Sequence, residues 1–119
     1  MHRAVLAVAT VAAFIADPTI ALAQALLSDQ RDGIAHMANA AIAEEQCQMQ
    51  VNQEVMTTTM GHVGLELMDL EDHPYRAAFE EAVREAQLSI EVYGSHVVCD
   101  RLEAMYGPTG LRIPGLVAR

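Results

Sequence analysis

Residues 34–60 contain neither glycine nor proline, and alanine, glutamine, glutamate and methionine dominate the run. These are strong helix formers, and nothing in the stretch stops a helix, so one long first helix is predicted. Ser28 or Asp29 can cap its start, and Asp32 falls in the first turn, where a carboxylate suits the helix dipole. Apolar residues recur at Ile34, Ala38, Ala41, Ile42, Met49, Val55, Met56 and Met60, mostly at three- and four-residue steps. That is the stripe of a core-facing helix. Thr57, Thr58 and Thr59 are β-branched and weaken its end. Gly61 and Gly64 are expected to break or bend the chain there.

A short second helix is expected over residues 62–70, followed by a polar turn at Asp72-His73-Pro74. Pro74 suits the first turn of a third helix capped by Asp72. That helix is predicted over residues 74–106, with Tyr75, Phe79, Ala82, Val83, Ala86, Ile90, Tyr93, Val97 and Leu102 on its apolar stripe. Glu80, Glu81, Arg84, Glu85 and Glu91 mark its solvated face. Gly94 is an interior flaw costing about 1 kcal/mol relative to alanine. Gly107-Pro108 ends the helix, and residues 107–119 have no helical period. They are expected to form an irregular tail that packs Leu111, Ile113 and Leu116 against the helices. The predicted fold class is all-α, a helical hairpin or small three-helix bundle.

The first residues are of a different kind. Met1-His2-Arg3 is a short basic start, and residues 4–16 carry no charge and one polar residue, Thr10. Asp17-Pro18 interrupts the run, and Ala21-Leu22-Ala23 is a small-x-small cleavage signature. This is the layout of a secretory signal peptide. A membrane span takes about 20 apolar residues, more than the run supplies. Cleavage after Ala23 divides the chain into a signal (1–23), a helical domain (24–106) and the tail (107–119). Removing 23 of 119 residues leaves 96, and the net charge stays at −9 because Arg3 and Asp17 leave together. A periplasmic or secreted location is expected, with no membrane span after cleavage.

Cys47 and Cys99 are the two cysteines of the chain. In an oxidising compartment two thiols of a small domain usually pair. Residue 73 is their midpoint, so an antiparallel hairpin folded at that turn would bring them level. With no C-x-x-C motif and no basic neighbour evident in the sequence, a structural staple is expected rather than a redox-active pair. A cysteine in the first mature helix and a late Val98-Cys99 together resemble small exported bacterial proteins of unknown function, which are helical and carry two cysteines. The resemblance implies no activity.

Seven arginines, no lysine and sixteen acidic residues exclude the basic surfaces that grip nucleic acid or anionic lipid. No G-x-S-x-G elbow, phosphate-binding glycine loop, H-E-x-x-H or C-x-x-C-H occurs. A proton shuttle at Glu80, Glu81 and Glu85 would require a cleft, so no enzyme activity and no cofactor are expected. The expected function is a structural or protein-interaction module acting through helical surfaces, as a homodimer or with an exported or envelope protein. The alternative is a copper-type metal binder. Thioether and imidazole suit Cu(I), and His36-Met37, Met60-x-His62 and the i, i+4 pair His62/Glu66 are the local candidates. Against it, methionine at helical spacing is the ordinary filler of a core poor in aromatics. An acid-stress chaperone-like protein is a further variant, since full protonation would turn an acidic domain positive.

Overall fold

The computed structural model describes residues 26–119, and the expected signal peptide with its cleavage signature at Ala21 and Ala23 lies outside them. Among the described residues the chain is helical: α1 Ser28–Cys47, α2 Gln53–His62, α3 Tyr75–Tyr93 and α4 Ser95–Tyr106. A 3₁₀ turn, Leu67–Glu71, joins α2 to α3. Two-residue strands β1 (Gln50–Val51) and β2 (Val117–Ala118) pair antiparallel, with Val51 opposite Val117. Among the described residues no helix is long and apolar enough to cross a membrane. The all-α domain stapled by one disulfide is therefore what the chain forms.

The long first helix is in fact two. Gln48 adopts the left-handed conformation (φ 58°), and the N–H groups of Gln48 and Met49 both donate to the Ala43 carbonyl. That pattern closes a helix C-terminus, usually with glycine at the left-handed position. Asn52 then starts α2, its side-chain oxygen accepting from the N–H groups of Glu54 and Val55 at 3.0 and 3.2 Å. Further on, α2 runs through Gly61, and the chain turns at Val63 and Gly64, with Gly64 at φ 77°. The helix expected over residues 62–70 is the shorter 3₁₀ turn.

The predicted third helix also divides. Gly94 takes φ 88°, ψ 151°, a conformation outside the helix that a side chain resists, and α4 starts afresh at Ser95. The break redirects the chain. α3 packs along α1 and ends at its C-terminal end, and α4 then returns along α1. Cys99 meets Cys47 at a Cα separation of 5.6 Å, while Tyr106 reaches back to His36. The staple therefore forms through the turn at Gly94, not through the symmetry of a hairpin folded at residue 73.

α1 is the central helix. Gly33, Ile34, Met37, Ala38, Ala40, Ile42 and Ala43 are all buried, which is most of its circumference rather than one stripe. Its small residues let neighbours approach closely, as where the Val63 side chain packs against Gly33. Met49, Met60, Leu65, Val98, Leu102, Tyr106, Leu116 and Val117 complete the core. α3, in contrast, has no fully buried residue; Phe79, Val83, Ala86 and Ile90 pack on the core half-buried.

The tail is ordered on α4. Amide groups of Leu111, Arg112 and Ile113 donate to the carbonyls of Ala104 and Met105, and Gly115 donates to Gly107. Leu116 is buried and Ile113 half-buried, as expected, but Leu111 is 88% exposed. At Gly110 a side chain would meet the Met105 carbonyl, its Cβ only 2.5 Å from that oxygen.

Candidate functional site

Two faces of α1 bring functional side chains together. On the first, His36 and Asn39 lie within one turn of each other and meet Tyr106 from the last turn of α4. Asn39 Nδ2 donates to Tyr106 Oη at 3.0 Å, and His36 Nδ1 lies 2.7 Å from the same oxygen. The His36 and Tyr106 rings meet edge to face, 5.5 Å apart at 74°. Tyr106 is fully buried, so its hydroxyl proton needs an acceptor within the protein. His36 Nδ1 is the acceptor in reach, which makes the ring neutral with its proton on Nε2.

Electrostatics reinforce that state. Burial holds the His36 pKa below its ordinary value, and the Arg112 guanidinium lowers it further, with Asp32 opposing. Burial raises the Tyr106 pKa, against smaller lowering contributions from Asn39 and Arg112, so its hydroxyl remains a donor at neutral pH. Tyr106→Phe should accordingly strand the Asn39 donor and the His36 acceptor. The expected loss is about 1–3 kcal/mol in urea unfolding. A loss near zero would show that water satisfies both groups without the hydroxyl.

The second face carries the staple. The disulfide expected between Cys47 and Cys99 is present. A shallow, open hollow of about 280 Å³ lies beside it, bordered by Gln46, Gln48, Ser95, His96 and Arg119. Two basic side chains thus stand near the bridge, which sequence spacing missed for Arg119 and underrated for His96, one helical turn before Cys99. Both have acidic neighbours: His96 faces Asp100 at 3.4 Å, and Arg119 reaches Asp100 and Glu103, each at 3.2 Å. With two carboxylates among the four groups, the surroundings do not favour a thiolate.

The remaining sequence-level candidates are separated. Met37 and Met60 are fully buried in the core. His62, at the end of α2, is exposed, as is Glu66, whose backbone N–H is capped by Asp69 at 2.8 Å. His36 turns to Tyr106 instead of to a methionine. Among the described residues no group of three or more His, Cys, Asp or Glu is placed to hold a metal ion. Glu80, Glu81 and Glu85 are exposed, on the solvated face of α3.

A third feature surrounds the bend at Gly94. Leu88, Val92, Tyr93 and Val97 are 56%, 64%, 58% and 47% exposed, and the Arg101 guanidinium sits 5.6 Å from the centre of the Tyr93 ring. Leu88 and Val92 lie one turn apart, on the side of α3 away from the half-buried stripe. Fold and sites together define an all-α, single-disulfide domain with a concealed polar cluster at one end of α4 and exposed apolar side chains at the other. Compared with protein-family models, curated proteins and solved structures, the chain matches none.

Proposed function

We propose that this chain is a small exported, non-catalytic protein, a structural or interaction module that acts through its helical surface. The observation that carries the reading is the set of four large apolar side chains at the α3–α4 bend, each about half exposed or more. Water-facing apolar residues gathered on one bend lower the free energy when a partner covers them. Tyr93 under Arg101 adds the kind of side chains that anchor protein interfaces. Export is supported by the disulfide, which persists in oxidising compartments, and by the signal-like residues 1–23.

The test is association of the oxidised protein, by light scattering and by cross-linking to envelope proteins. A Leu88→Gln, Val92→Gln variant should weaken association at least about tenfold, the effect of losing ~1.4 kcal/mol, while its melting temperature stays within a few degrees of the parent. A parent that is strictly monomeric and captures no partner would overturn the reading, as would unchanged association of the variant.

A further inference from the structure

Besides its apolar packing in the core, α4 is joined to α1 by two contacts of different chemistry. Near its N-terminal end the attachment is the Cys47–Cys99 bond, which takes up no proton. At its C-terminal end it is the hydrogen-bond pair of Tyr106 with His36 and Asn39. We propose that the His36–Tyr106–Asn39 cluster is a proton-operated latch. Neutral His36 holds the end of α4 and the near part of the tail on α1, and protonated His36 releases them while the disulfide keeps the other end attached.

The argument begins with donors and acceptors. Tyr106 Oη accepts a hydrogen bond from Asn39 and donates one through its own O–H to His36 Nδ1. Once Nδ1 is protonated it too is a donor, so two N–H groups point at an oxygen that carries a hydrogen of its own. The buried hydroxyl proton then has no acceptor, and a buried donor without a partner opposes the closed arrangement. The charged and titratable groups facing the ring are Asp32 from α1, Tyr106 from α4 and Arg112 from the tail. Asp32 favours the imidazolium, but burial and Arg112 oppose it and prevail. Protonation places a second positive charge near Arg112, which belongs to the segment to be released.

The near part of the tail must follow α4, because its residues 111–113 hang on the carbonyls of Ala104 and Met105, adjacent to Tyr106, while residues 116–118 are also held by β1. His62, His73 and His96 are all exposed, so His36 is the one histidine among the described residues whose charging disturbs a packed junction. The sign follows from linkage. The open state binds the proton at the ordinary histidine value and the closed state only below it. Closure is therefore complete above that range and is lost as pH falls beneath it.

Amide hydrogen exchange of the oxidised protein at pH 7.5 and 5.0, corrected for chemical exchange, tests the latch. Exchange over residues 102–113 should rise in acid by up to about tenfold for each unit by which His36 titrates below its ordinary value. Residues around Cys99 should not change. His36→Gln keeps a neutral acceptor for Tyr106 and should abolish the acid step. The same step in His36→Gln, or none in the parent, would overturn the proposal. If His36→Gln fails to fold, the ring titration of His36 followed by NMR in the parent decides. A value below about 6.5 with Tyr106 resonances moving at the same pH supports the latch, and a value at or above it refutes it.

Discussion

Replacing Cys47 and Cys99 with alanine is expected to remove about 4 kcal/mol of folding stability, the chain-entropy value for a bridge that spans 52 residues. Domains of this size hold only about 5–15 kcal/mol in total. The double variant should therefore melt some 20 °C lower, or be largely unfolded at room temperature. Paired urea and thermal unfolding of the oxidised parent and the variant measures the difference. A loss under about 1 kcal/mol would mean that Tyr106 and the tail position α4 without help from the bond. The same preparation, denatured but not reduced, should yield no labelled thiol.

Truncating Met60 should have the next largest effect. Its side chain is fully buried where the end of α2 meets the core. Met60→Ala removes three heavy atoms from that packing and should cost about 2–5 kcal/mol, whereas Met60→Leu nearly conserves the volume and should cost less than about 1.5 kcal/mol. The contrast separates two roles for one side chain. A core position tolerates leucine, while a Cu(I) ligand does not, because the thioether sulfur is lost. Copper(I) affinity that disappears in the leucine variant, with stability unchanged, would favour the metal-binding alternative over packing.

Much of the architecture was legible in the residues. The helical class, the pairing of Cys47 with Cys99 and the end of the last helix at Gly107 follow from propensity, compartment and breaker chemistry. Two helix boundaries were hidden for different physical reasons. Glycine and proline mark helix ends in a sequence, yet α1 ends at Gln48, where a residue with a side chain occupies the left-handed region. Asn52 is the available clue, since asparagine followed by Gln53-Glu54 is a good helix start. Gly94, in the sequence a local cost inside one helix, is a change of direction, because neighbouring packing, invisible in the local sequence, decides between a flawed helix and two helices.

The polar cluster was half legible. His36 stood out, but as a partner of Met37, its neighbour in the chain. Its actual partner, Tyr106, is 70 residues away. Only the return of α4 along α1 brings the two together, and no periodicity encodes that. Arg119 beside the staple was hidden for the same reason. The β1–β2 pair left no pattern, since two residues are too few for an alternation to be seen.

That small ladder bears on the order of events in folding. The helices form from contacts a few residues apart, but Val51 and Val117 lie 66 positions from one another, with Leu116 and Val117 wholly inside the core. Contacts so distant along the chain, like that of His36 with Tyr106, carry a large loop-closure entropy and are expected to form late. The segment that shuts the interior is thus among the last to arrive, so the helices are in place before the core is sealed.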